Sequence, residues 1–252
     1  MGEQERGDVF ERFRESLHKM EGHFHVLEQR VPVELQMEYF KCSTRMRRDN
    51  IAMTEEDFNS YKQNLSDSEA TTDTKKHALL ALAVSNEAKA YRILKEYAQH
   101  PEPDVTNWAY MALMESRISL ASELSEEKQI YISTGLGGKG EKLRFYALFY
   151  AAEKKPFETY QRQIIGREFT YFLLKEDCEI ERLIVNDVYV ELLFLIPVSI
   201  DIKMALTHVV AECNLFGNFL SDIFTVTNVK ELSAEEIGEL VRKKYEDNRT
   251  GH

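Results

Sequence analysis

Apolar residues recur in two rhythms along this chain. Val9, Phe10, Phe13, Leu17, Met20, Phe24 and Leu27 follow one another at steps of mostly three and four, which places one apolar stripe on a long helix. Pro32 interrupts it, and a second helix is expected over Val33–Arg45. Thr54-Glu55-Glu56-Asp57 has the form of a capping box, with Thr54 as N-cap and Asp57 where Glu is usual. It opens a short helix that fades by Leu65. The stretch Ser66–Asp73, rich in Ser, Asp and Thr, reads as a loop. Ala88, Tyr91, Leu94 and Tyr97 mark a further amphipathic helix, and Pro103 sits at a helix start, where its missing N–H costs nothing.

From residue 129 the rhythm changes. Gln129–Ser133 reads as a short strand, followed by the glycine-rich stretch Gly135–Gly140. Leu143–Ala151 alternates, with Leu143, Phe145, Ala147 and Phe149 on one face and Arg144, Tyr146, Leu148 and Tyr150 on the other. Pro156 opens a helix carrying Phe157, Tyr160, Ile164, Ile165, Phe169, Phe172 and Leu173. Glu179–Val185 and Val188–Ile196 are strands joined at Asn186-Asp187. Ser199 or Asp201 caps a helix with Ile202, Ala205, Leu206, Val209, Val210 and Cys213, stopped by Asn214 and Gly217. Phe219–Val229 is a last strand, and Ser233-Ala234-Glu235-Glu236 is a full capping box for a terminal helix. The order from Leu143 is βαββαβ and then α, the split βαβ or ferredoxin-like arrangement.

A short motif appears twice in the helical half. Thr71–Leu82 reads TTDTKKHALLAL and Glu102–Leu113 reads EPDVTNWAYMAL. Ala78 matches Ala109, Ala81 matches Ala112 and Leu82 matches Leu113. Small alanines on one face let a neighbouring helix approach closely while the leucine fills the shared core. With Glu102-Pro103-Asp104-Val105 ahead of Ala109, Ala112 and Leu113, the segment resembles HEAT-like repeats; the first copy lacks the proline and has Thr74 in place of the valine. The resemblance implies helical hairpins and protein binding. The expected fold class is therefore α+β: an all-helical HEAT-like domain, residues 1–128, followed by a ferredoxin-like βαββαβ domain, residues 129–252, with an extra C-terminal helix.

Composition narrows the function classes. The chain of 252 residues carries a net charge of −11 and both halves are acidic, which argues against nucleic acid and anionic membrane as partners. Cys42, Cys178 and Cys213 are far apart and odd in number, so they give neither a disulfide framework nor a ligand spacing. The polar start MGEQERGDVFERF is unlike a secretory signal, and the longest apolar run, near Leu192–Val198, is too short to span a bilayer. A cytoplasmic location with reduced thiols is the expectation.

No complete catalytic or metal motif emerges, and no cofactor is implied. The stretch Gly135–Gly140 lacks the Gly-Lys-Ser/Thr ending of a phosphate loop and precedes a strand, so it reads first as a flexible joint or a hairpin loop. Gly137, Gly138 and Lys139 are nonetheless its candidate anion-binding residues, and a phosphate- or nucleotide-binding enzyme or sensor is the competing function class. Tyr146, Tyr150 and Tyr189 fall on one sheet face, where an RNA-recognition domain stacks bases. The strand VYVELLFLI lacks the matching basic-Gly-aromatic pattern, so these rings are expected to bury against the helical half or a second copy of the chain. Lys41, Arg45, Arg47 and Arg48 form the dense basic cluster, read as a solvated helix end or a site for a small acidic or phosphate-bearing ligand. His18, His23 and His25 lack the i, i+4 spacing of a metal site, and His208 and Cys213, five apart on one helix, point to different sides. The leading expectation is a non-catalytic interaction or regulatory protein whose partner is another protein or a second copy of itself, with a small-molecule ligand left open. Trp108, Tyr110 and Tyr91 are its candidate contact residues, because aromatic anchors dominate many interfaces.

Overall fold

The computed structural model describes residues 23–49, 53–125 and 129–247. They form two compact units that divide between Thr134 and Gly135. The apolar stripe from Val9 to Met20 lies outside the described residues. Its last two positions do not continue a helix: Phe24 lies in strand β1 (His23–Val26), and Leu27 follows it. β1 pairs in parallel with β2 (Gln129–Ile132), Phe24 opposite Ile130 and Val26 opposite Ile132. Val26, Ile130 and Ile132 are buried there. His-Phe-His-Val fits a strand as well as a helical stripe, and a partner about a hundred residues away decides between them. The same pairing places Gln129–Ile132 with the helical unit, not at the start of the C-terminal domain where the sequence put it.

Five α-helices build the rest of this unit. They are α1 (Val33–Asp49), α2 (Glu55–Ser66), α3 (Thr72–Val84), α4 (Ala88–Tyr97) and α5 (Thr106–Leu124), the last entered through a 3-10 turn at Pro103–Val105. Thr54 and Asp57 form the capping box at α2: the Asp57 N–H donates to Thr54 Oγ1 and the Thr54 N–H to Asp57 Oδ2 at 2.7 Å. Thr71 caps α3 by accepting from the Thr74 N–H. Ala78, Ala109 and Ala112 are buried together with Leu79, Leu82, Leu94 and Met111 in one core. Alanine at these positions lets helix backbones approach, and each buried leucine contributes roughly 1.5–3 kcal/mol.

The second unit is built on an antiparallel sheet. Its strands are β3 (Gly138–Lys139), β4 (Lys142–Ala151), β5 (Glu179–Val185), β6 (Tyr189–Pro197) and β7 (Leu220–Thr227), with α6 (Thr159–Lys175), α7 (Ile202–Asn214) and α8 (Ala234–Asp247) between and after them. Across the sheet the order is β7-β4-β6-β5, every pair antiparallel, with β3 beside the start of β4. Phe149 packs edge-on to Phe169 of α6 at 4.9 Å. On the opposite face Tyr146, Leu148, Tyr150 and Leu193 cluster with Ile237, Leu240 and Val241 of α8. Helices on both faces explain why nearly all of β4 is apolar. The chain is thus a mixed α+β protein, with a helical N-terminal part and a C-terminal antiparallel sheet.

A candidate docking face on helix α1

The clearest convergence of polar side chains lies in the helical unit, and the sequence did not mark it. Tyr39, Ser43 and Arg47 stand four residues apart on one face of α1. All three reach Glu115 of α5. The Tyr39 hydroxyl donates to Glu115 Oε2 at 2.6 Å, the Ser43 hydroxyl donates to Oε1, and Arg47 Nε donates to Oε1 at 3.0 Å. Arg47 also donates to Ser119 Oγ at 2.9 Å. One turn earlier, Gln36 donates to the carbonyls of Val31 and Thr134 at 2.7 and 3.1 Å. Tyr39, Ser43 and Gln36 are buried. Burial, followed by the nearby Glu115 carboxylate, holds the Tyr39 hydroxyl well above its ordinary pKa, so it stays a donor. A carboxylate taken out of water is tolerable only with such a set of partners. α1 is therefore fixed in rotation about its own axis.

Fixing one face defines the other. Met37, Phe40, Lys41, Thr44, Arg45 and Arg48 are all exposed, and their three-and-four spacing makes one outward stripe. Met37 is 68 % exposed, a high value for so apolar a side chain. Phe40 rests edge-on against Tyr131 at 5.8 Å, which leaves its outer part open. Lys41, Arg45 and Arg48 have no acidic partner among the described residues. The basic cluster of the sequence is thus split. Arg47 is spent on Glu115, and three cations remain in line behind two apolar side chains. Glu34 and Glu38 lie toward the apolar end, Asp49 follows Arg48, and Glu38 is already paired with Lys76 at 3.4 Å. Charged helical stripes are common on surfaces, and the spacing Tyr39-Ser43-Arg47 does not stand out among them in the sequence because its partner, Glu115, lies 68 to 76 residues away.

The other candidate residues fall elsewhere. Trp108 is in the core, with Tyr39 edge-on at 5.3 Å and Lys76 Nζ 4.6 Å from its ring centre, so it is not an exposed anchor. Tyr91 and Tyr110 are half-buried on α4 and α5. Gly137 and Gly138 are buried: the Gly137 carbonyl accepts from the Arg144 N–H, and Gly138 pairs with Leu143. Lys139 donates to Glu179 at 2.7 Å. A Cβ at Gly135 would lie 1.8 Å from the Val229 carbonyl oxygen, so the glycine there serves a close approach of two backbones. The stretch is a hairpin laid into the sheet.

The tyrosine face is closed by α8. Tyr146 is 1 % exposed and donates to Glu191 at 2.9 Å; Tyr150 and Thr225 share a hydrogen bond of 2.8 Å. His25 bonds the Gln129 side chain, and His18 lies outside the described residues. His208 stacks edge-on against Phe172, while Cys213 is fully buried, so the two do not form a pair. Burial pushes the thiols of Cys178 and Cys213 up to about 12, far from the range of a reactive thiolate. Among the described residues no group of three His, Cys, Asp or Glu side chains could hold a metal ion, and no helix is long and apolar enough to cross a membrane.

No protein-family model matches the chain, and no curated protein does. Among solved structures, a REP-associated tyrosine transposase bound to a REP hairpin is similar over 46 % of this chain and 68 % of its own, at 12 % identity and a TM-score of 0.33. That likeness is too loose to bear on fold or activity.

Proposed function

We propose that this chain is a non-catalytic protein-interaction or regulatory module that docks its partner on the outer face of α1. The observation that carries the reading is the division of labour on that helix. One side is held by Glu115 while the other presents Met37, Phe40 and three cations without an acidic partner among the described residues. A rigid helix offers a partner a surface already ordered, which lowers the cost of association. In this reading the helical unit is a HEAT-like platform, supported by the buried Ala78 and Ala109 of the two matching motifs. The second unit is ferredoxin-like, supported by its strand order β7-β4-β6-β5. The glycine stretch weighs against the phosphate-binding alternative, because its backbone is committed to the sheet and Lys139 to Glu179.

The test is to pan a displayed library of helical peptides against the intact protein and against Met37→Asp. Met37 is exposed, so the variant keeps its fold. Clones retained by the wild-type chain should be lost or weakened about tenfold by Met37→Asp. Clones that bind both proteins equally would remove α1 as the docking face.

A further inference from the structure

We infer that the partner of α1 is an acidic, amphipathic helical segment of another protein, seated with its apolar end on Met37 and Phe40 and its acidic end on Lys41, Arg45 and Arg48. The inference rests on the docking role of α1 and adds the chemistry of what docks there. Three features of the stripe decide that chemistry.

The first is charge. The protein carries −11 overall, yet this stripe gathers three exposed cations that make no ion pair among the described residues, and Asp49, which follows Arg48, offsets at most one of them. A polyanion such as RNA would meet a repulsive field over most of the remaining surface. A short segment with a few carboxylates meets only the stripe. The second is polarity along the helix. Glu34 and Glu38 lie toward the Met37 end, Lys41 lies beside Phe40 in mid-helix, and Arg45 and Arg48 lie in the C-terminal part ahead of Asp49. Acidic groups in the partner are therefore favoured over Arg45 and Arg48 and disfavoured over Met37, which fixes the direction in which it lies. The negative end of the α1 dipole and the Asp49 carboxylate weaken this preference without reversing it, because three full positive charges outweigh one negative charge and about half a charge.

The third feature is shape. From Met37 to Arg48 the stripe runs about 16 Å, three helical turns. Thr44 sits between Lys41 and Arg45, a small side chain that lets a second helix come close. Phe40 is held in place by Tyr131, so the apolar contact is ordered before the partner arrives. Carboxylates three and four residues apart on the partner match the cation spacing.

The inference is tested with three labelled peptides of equal length against the full chain, by fluorescence anisotropy. One has a Leu/Phe stripe with Glu at three- and four-residue spacing in its second half. One is the same peptide with Lys for Glu. One is a scrambled acidic control that cannot form the stripe. The acidic amphipathic peptide should bind, the other two should bind at least about tenfold more weakly, and added salt should weaken the complex. Arg45→Glu/Arg48→Glu should lower affinity for the acidic peptide about tenfold and raise it for the Lys peptide, with an unchanged circular dichroism spectrum. Equal binding of the acidic and Lys peptides, both weakened by Met37→Asp, would overturn the acidic partner and leave the docking face standing. Binding insensitive to Met37→Asp and to the double charge reversal would overturn both. An RNA oligonucleotide that displaced the acidic peptide and bound more tightly would overturn the assignment to a protein segment.

Discussion

Lys75 is 1 % exposed inside the helical unit, and its ammonium donates to the carboxylate of Glu102. Glu102 itself keeps 45 % of its side chain in water. The two are unequal partners: losing the carboxylate strands a buried charge, while losing the lysine leaves an ordinary surface glutamate. Glu102→Gln should therefore destabilise the unit by roughly 3 kcal/mol, at the low end of the range for a broken buried pair because water reaches one side. Lys75→Met should cost much less, and the double variant should recover most of the loss. Urea midpoints of the four proteins, read through Trp108 fluorescence, check this; equal losses in the two single variants would contradict it. Residue pairs of this kind were illegible in the sequence. Lys75 is followed by Lys76 and looks like a solvated face, and its partner lies 27 residues away. The clamp on Glu115 spans 68 to 76 residues. By contrast the boxes Thr54–Asp57 and Ser233–Glu236 were legible because each closes within three residues.

Elements show the same division between local and distant causes. The strands and helices from Glu179 to Asn214 lie within a residue or two of their sequence-based bounds, since alternation, caps and turn residues agree there. β1 was misread because its fate depends on β2. α8 was legible as a helix through its capping box, but nothing local said that it would close the tyrosine face. The glycine stretch is the sharpest case. Its composition suggested a flexible joint or a hairpin loop ahead of a phosphate cradle; the hairpin is what forms, but the reason for glycine at Gly135 is contact with Val229, distant in sequence. Two substitutions separate these roles. At Gly140 an added Cβ meets no atom within 4 Å, but φ is +58, so Gly140→Ala should cost about 1–2 kcal/mol of left-handed strain. At Gly135 the added atom would force the hairpin off the end of β7, and Gly135→Ala should cost more, ~3 kcal/mol or above. Equal midpoints for the two variants in urea would mean that the close approach is not holding the hairpin in place.

At the scale of the whole molecule, the placement of ionisable groups ties stability to pH differently in the two units. Cys178 and Cys213 both belong to the second unit, and burial pushes both thiols from 9.0 up to about 12. Below pH ~9 they are protonated whether the chain is folded or not, and they contribute no pH dependence. Above it the unfolded chain releases these two protons while the folded chain keeps them. Folding then loses about 1.4 kcal/mol per pH unit for each thiol until the folded value is reached. In the helical unit the groups raised by burial are Tyr39, Tyr61, Tyr97 and Tyr131, whose ordinary value is 10.0. Its corresponding loss begins about one pH unit later. Trp108, the single tryptophan, lies in the helical unit and reports on it alone. Between pH 9 and 10, the urea midpoint seen by far-UV circular dichroism should fall before the midpoint seen by Trp108 emission. Cys213→Ala should flatten the first trend, despite its own packing cost, and leave the second unchanged. Coincident midpoints across that window would show that the two units unfold as one and that the thiols do not set the alkaline limit.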